Sequence, residues 1–340
     1  MGDDRKPLDE FSAEIIANHE LEQTARRLAT QLAREKLRTE QLVDAVYRAA
    51  KDAAIARGRI QIPAPVKDRR KPAGQVALIH TTDWQVGKVS DSYDLDIAQA
   101  RIERLAKKVI HIAGIQRHAH PVKHCAVLLG GDMVEGVGIF PGQVYEIGAH
   151  LYEQLFAVAN IVEQLVATLC AEFETVTVWD IHGNHGRLGR RGENPRNDNI
   201  DRVAYAIARD RLTHAKNLTW HHAETWHQIV EIGNYTALLV HGDQIKSFGG
   251  NLPAYGILRK TNAWAAGVLP KFRDAYFGHF HTHQTLAGAD GRQVFMTGSP
   301  ESGNEYAREF VAATGTPSQR LHFIDPDKGR VTSEWRIELA

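Results

Sequence analysis

The sequence predicts a layered α/β domain, its sheets covered by helices, with a helical extension in front of it. Three observations carry this. Residues 9–57 are dominated by good helix formers, short apolar runs and helical stretches alternate beyond Gly74, and the second half is richer in strand signals. Early β-α-β alternation followed by strands is the pattern of sheets layered against helices.

The elements follow in order. Residues 1–58 read as an N-terminal helical segment. Leu21, Ala25, Leu28 and Leu32 form one apolar stripe, and Leu42, Val46, Ala49 and Ala53 form a second, out of phase with the first. Thr39, followed by Glu40, fits an N-cap with an acidic first turn between them. Such helices suit packing on a domain or on their twin in a homodimer; nucleic-acid or partner recognition is the alternative. Residues 59–74 read as a linker. Pro63 and Pro65 break regular structure, and Arg57, Arg59, Lys67, Arg69, Arg70 and Lys71 make the stretch basic, which suits a solvated linker or an arm that attracts phosphate.

The main domain is expected over residues 75–340. Strands are expected at 76–80, 125–129, 176–181, 218–222, 228–232, 236–240, 275–278, 293–297, 321–324 and 331–337. Helical stretches are expected at 95–115, 145–173 and 199–213.

Composition bounds the function. The chain has 340 residues, 43% hydrophobic and 24% charged, with a formal net charge of zero, so no global field draws it to a polyanion or a membrane. The N-terminus is charged and polar and no apolar run approaches the roughly 20 residues of a membrane helix, so the expectation is a cytoplasmic protein without a membrane partner. Cys125 and Cys170 lack metal or redox spacing and are expected as buried free thiols.

Five polar segments punctuate the main domain, and nearly every one follows an expected strand. They are Thr82-Asp83-Trp84-Gln85, Gly130-Gly131-Asp132, Gly183-Asn184-His185, His241-Gly242-Asp243 and Gly278-His279-Phe280-His281. Asp, Asn and His are the oxygen and nitrogen donors that divalent cations take, and strand ends are where α/β sheets collect ligands. His279 and His281 are two apart, so in an extended segment both rings face one side. A bridging carboxylate such as Asp132 can serve two cations, and two cations about 3.5–4 Å apart can hold a phosphate and activate a water.

These segments resemble the metal-ligand motifs of the calcineurin-like metallophosphoesterases. The resemblance runs in order over about residues 76–282, and by general texture leans toward SbcD-type nucleases and their phage relatives. It implies an α/β/β/α sandwich, two mixed sheets flanked by helices, with a dinuclear metal centre. It also implies a phosphodiester-hydrolysing enzyme using a metal-activated water, with nucleic acid as substrate. Carried over, Asp83 and His281 bind the first ion, Asp132 bridges, and Asn184, His241 and His279 complete the second. His185 binds no metal and contacts the phosphate or leaving oxygen.

The sequence departs from the family in its first motif, where Gln85 stands in place of a histidine. It is open whether Gln85 binds the ion, hydrogen-bonds the attacking water, or marks loss of the first ion. As a neutral oxygen donor it shifts preference from Zn²⁺ toward Mn²⁺ or Mg²⁺. Arg187, Arg190 and Arg191 are candidate phosphate contacts, with Lys88 and Lys246 weaker ones; a solvated loop is the alternative. Trp84 is a candidate base-stacking residue or a packed aromatic, Asp243 a candidate acceptor orienting His241, and His80 a packed histidine. Two other functions remain open at this stage: a phosphomonoesterase acting on a small molecule or phosphoprotein, and a non-catalytic metal-binding scaffold.

Overall fold

The computed structural model describes scattered positions between Gln23 and Ala56, then residues 58–70, 74–140, 142–189, 191–245, 252–288, 290–301 and 316–340. Contacts divide the chain between Ala56 and Arg57. In the first unit every described position is helical, Leu28 and Ala49 of the two stripes among them. The expected cap at Thr39 lies outside the described residues.

The second unit contains two mixed sheets. In the first, β1 (Val76–Thr81), β2 (His124–Leu129), β3 (Thr175–Asp180) and β4 (Leu218–His222) run parallel. The order is completed on the far side of β1 by β10 (Ser318–Asp325) and β11 (Arg330–Glu338), both antiparallel to their neighbours. The second sheet has the order β5 (His227–Ile232), β6 (Tyr235–Val240), β7 (Asp274–Phe277), β9 (Gln293–Met296) and β8 (Gln284–Ala287). Within it β6, β7 and β9 are parallel.

Strand alternation decides what each face meets. Val76 and Leu78 of β1 with Ala126 and Leu128 of β2 pack against Val230, Ala237, Leu239, Tyr276 and Phe295 of the other sheet, forming the core between the sheets. The outer face of the second sheet, through Leu238, Val240, Ala275 and Phe277, packs on Ile257 and Trp264. The first sheet is covered by α1 (Leu95–Arg117), α2 (Leu151–Glu172) and α3 (Ile200–Arg211). The result is the expected α/β/β/α sandwich. Truncating one fully buried member of either core, such as Phe295, would cost about 3–5 kcal/mol.

Local signals set the helix starts. Asp94 accepts from Ile97 N at 2.8 Å at the start of α1, and Asn199 accepts from Asp201 N at 2.9 Å at the start of α3. The stretch expected at 145–173 is broken: Gln143–Glu146 is a short 3₁₀ turn, and α2 begins only at Leu151, where Glu153 accepts from His150 N at 2.7 Å. Two elements have no counterpart in the sequence reading. The helix α4 (Ala254–Ala263) runs into a π turn, Trp264–Val268, at Gly267, and β8 is a largely exposed edge strand without alternation.

Two expectations need correction. Leu151–Glu172 is long and apolar enough to cross a membrane by length and composition, contrary to the sequence reading; most of it is buried, because α2 is wedged between α1 and α3. The basic stretch before β1 is largely exposed, as expected of a solvated linker, but it does not lie beside the strand-end motifs as a phosphate-attracting arm would. Asp68 N donates to Glu174 at 2.8 Å, Arg70 donates to Arg117 O at 2.7 Å and His214 Nε2 lies 2.9 Å from Ile60 O. These anchors sit where α1 ends and β3 and β4 begin, the opposite edge of the sheet from the motifs. Cys125 and Cys170 are free and buried, as expected.

Candidate metal centre

Because β1, β2 and β3 are parallel and in register, Thr81, Leu129 and Asp180 leave the first sheet side by side. Val240 and Phe277 leave the second sheet as a parallel pair in the same way. All five motifs are the loops that follow these five ends.

The backbone of these loops is strained where the ligands are expected. Asp83 (φ 55°), Gln85 (46°), Asp132 (51°), His279 (65°) and His281 (51°) are the only non-glycine residues with positive φ among those described. Each such conformation costs about 1 kcal/mol or more and persists only where the surroundings enforce it. The enforcement is visible. Asp83 N donates to Gly131 O at 2.9 Å and Gln85 N to Asp132 O at 3.0 Å, zipping the first two loops together. His279 N donates to both Asp83 oxygens at 3.0 and 2.9 Å, tying in a loop of the other sheet. Glycine permits the close approach: a Cβ on Gly278 would meet Asp83 Oδ2 at 2.6 Å.

Among the described residues, ligand atoms of Asp132, His241 and His279 all lie within 4.8 Å of one another. His241 Nδ1 lies 2.8 Å from Gly130 O, which fixes the ring, and Nε2 lies 2.9 Å from Asp132 Oδ2 without a hydrogen-bond partner. Asn184 Oδ1 and Gln85 Oε1 are likewise buried without partners. Orphaned buried donors of these types are costly unless something else satisfies them, and a divalent cation does so. Beside this cluster, His281 Nε2 lies 3.2 Å from Asp83 Oδ1 and 3.3 Å from the Gln85 amide. The residues present therefore fit a divalent cation at Asp132, His241 and His279, with the Asp83–His281 pair beside it.

Burial disfavours the charged form of His241, but Asp132 outweighs it and raises the ring to about 10. Burial is likewise outweighed at His281 by Asp83, which raises it to about 10. His279, half-buried and close to His241, is instead pushed down to about 4, burial being the larger cause. His185 stands at the rim. Its Nδ1 lies 2.8 Å from Glu135 O and its N donates to Asp132 Oδ1 at 2.7 Å, leaving Nε2 3.9 Å from Asp132 Oδ2.

Several expected roles are corrected. Trp84 is fully buried and donates from Nε1 to Thr81 Oγ1 at 2.7 Å, so it cannot stack on a base. Asp243 does not orient His241; the Gly130 carbonyl does, while Asp243 pairs with Arg196 at 2.7 Å and stands 3.9 Å from Arg191. Lys88 is buried and paired with Glu301 at 3.0 Å and Glu146 at 3.5 Å, so it is no phosphate contact. His80 is packed as expected, 2.7 Å from Thr297 Oγ1. Arg187 donates to Ile139 O at 2.9 Å and to Asn184 O at 3.3 Å, and with Arg191 lines a cleft of about 560 Å³ that reaches His279. Arg190 and Lys246 lie outside the described residues.

Three residues that the sequence reading missed support the centre. Asp201, in the first turn of α3, accepts from the backbone N–H of Asp132, Met133, Val134 and Gly183 at 2.9, 3.1, 3.2 and 3.0 Å, clamping two ligand loops together. Glu135 is buried with Oε2 3.5 Å from His185 Nδ1, and its signal was the position three after Asp132. Glu301 lies 3.5 Å from His281 Nδ1, and no sequence signal marks it.

No family model and no curated protein matches the chain. Among solved structures it is similar to a dimetal phosphatase from Danio rerio, at 11% identity over 79% of this chain and 100% of that one, TM-score 0.38. It is also similar to a conserved protein of Streptococcus pneumoniae described as a predicted phosphoesterase, at 12% identity over 77% and 98%, TM-score 0.31. A third is a 5'-nucleotidase from Candida albicans, at 10% identity over 82% and 54%, TM-score 0.35.

Proposed function

We propose that this protein is a metal-dependent phosphoesterase of the calcineurin-like kind, hydrolysing phosphodiester bonds, with nucleic acid as its substrate class. The observation that carries the reading is the cluster of buried Asp132 and His241 with half-buried His279, and His185 at its rim. Asp83, Gln85, Asp132 and His281 would hold one divalent cation, and Asp132, Asn184, His241 and His279 the other. Cations seated there would supply Lewis-acid polarisation of a phosphoryl oxygen and a water of lowered pKa.

The chain's own groups do the rest. Asp132 has Oδ1 fixed by the His185 N–H, so Oδ2 is presented toward His241. Asp83 is held by His279 N and by Thr82 Oγ1 at 2.8 Å, which leaves it no freedom to swing away. His185, anchored through Nδ1, keeps Nε2 for a phosphoryl or leaving oxygen. Preorganised donors of this kind need not reorganise as charge develops, and loss of one costs about 10²–10³ in rate. Gln85 as an oxygen donor favours Mn²⁺ or Mg²⁺.

The test is purified protein loaded in turn with Mn²⁺, Mg²⁺ or Zn²⁺ and assayed on bis-p-nitrophenyl phosphate, p-nitrophenyl phosphate and labelled DNA. The reading expects diester cleavage that is lost in His185→Ala. Turnover of the monoester alone would make the protein a phosphomonoesterase, and no turnover with any metal a binding protein.

A further inference from the structure

His185 lies between two unlike walls. On one side runs the segment that follows Asp132. There Val137, Phe140, Val144, Tyr145 and Tyr152 are all exposed, Tyr145 at 91%. Val89, also exposed, is tied to the segment through its N–H, which donates to Glu146 O at 2.7 Å. The segment is anchored, because Gln143 accepts from Ile139 N at 2.7 Å and donates to Glu135 O at 2.8 Å. The Phe140 ring meets His185 edge to face at 5.9 Å. On the other side is the cleft, lined by Arg187, Arg191 and Arg196 together with Asp198 and Asp243. His182 lines it too, 5% exposed, with neither ring nitrogen partnered. Arg187 joins the walls by donating to Ile139 O at 2.9 Å.

A ligand spanning both walls needs flat apolar groups on one side and anionic groups on the other, joined by the phosphate that sits at His185. We infer that the two walls form a site for unpaired, single-stranded nucleic acid, with bases stacked on Phe140 and Tyr145 and the adjoining phosphate at Arg191 and His182. Aromatic platforms beside cationic grooves bind single strands in this way, and a paired duplex keeps its base faces to itself. Arg191, with a largely exposed side chain 3.9 Å from Asp243, is held loosely enough to turn to a phosphate. The inference rests on the phosphodiesterase reading and narrows its substrate.

The test uses the full chain in EDTA, so that binding is read apart from hydrolysis. Fluorescence anisotropy would compare a labelled oligothymidylate, a duplex of equal length and inorganic polyphosphate on wild type, Tyr145→Ala, Phe140→Ala and Arg191→Ala. Expected is binding of the single strand at least about ten-fold tighter than the duplex, weakened about five- to hundred-fold by either aromatic change. Polyphosphate should respond to Arg191→Ala and not to Tyr145→Ala. Equal affinity for strand and duplex, or aromatic variants that bind like wild type, overturns the inference. So does a concentration-dependent dimer abolished by Tyr145→Ala, which would give the patch to a second copy. Turnover of bis-p-nitrophenyl phosphate by the metal-loaded wild type is measured in parallel. Turnover without aromatic-dependent binding removes this inference alone, whereas no turnover removes the catalytic reading.

Discussion

His241 Nε2 lies 2.9 Å from Asp132 Oδ2 with no hydrogen bond to satisfy it. The two buried groups are held at that separation, one by Gly130 and the other by His185, and offset each other as an imidazolium–carboxylate pair; on the proposed reading a shared cation takes the place of that proton. Removing metal with a chelator should therefore abolish diester turnover and lower the melting temperature. A tenfold-saturating metal stabilises by about 1.4 kcal/mol and a hundredfold by about 2.7 kcal/mol. Differential scanning fluorimetry with and without Mn²⁺ reads this.

On the proposed reading Gln85 sets the metal preference. Gln85→His replaces a hard oxygen donor by imidazole beside His281 and Asp83. Zinc-supported activity should rise relative to manganese-supported activity by about tenfold or more. An unchanged ratio in metal-substituted assays would rule out Gln85 as a ligand.

Glu135 faces His185 Nδ1 with both its carbonyl and its carboxylate, so on the proposed reading it acts through that ring. Glu135→Gln keeps the shape and removes the charge. It should lower kcat about 10–100-fold with little change in KM, the usual cost of losing the group that orients a working imidazole. Steady-state kinetics on bis-p-nitrophenyl phosphate separates the two constants.

Trp84 provides the contrast. Its indole N–H donates to Thr81 inside the core. Trp84→Phe should cost about 1–3 kcal/mol of stability through the orphaned hydroxyl and lost volume. Oligonucleotide affinity should stay at the wild-type value; a weakened affinity in a folded variant would return Trp84 to the substrate surface.

That Asp132, His241 and His279 come together was legible because the signals are local: each directly follows an apolar run, and five such runs in order leave few arrangements. The partners that hold the ligands were not. Asp201 sits in a helix and reaches four amides from loops far away in sequence, so nothing in its neighbours marks it. Asp243 was misread because adjacency to His241 in sequence suggested contact, whereas the turn at Gly242 (φ 125°) sends it to Arg196. The strand β8 escaped because an exposed edge strand has no buried face to impose a period.

The central claim is that one carboxylate, Asp132, joins two cations. Electron paramagnetic resonance during Mn²⁺ titration tests it most directly, since ions that share a bridging carboxylate couple their spins by exchange. The account predicts two ions per chain with a coupled signal that Asp132→Asn abolishes. A single uncoupled ion, or coupling that survives Asp132→Asn, would contradict it.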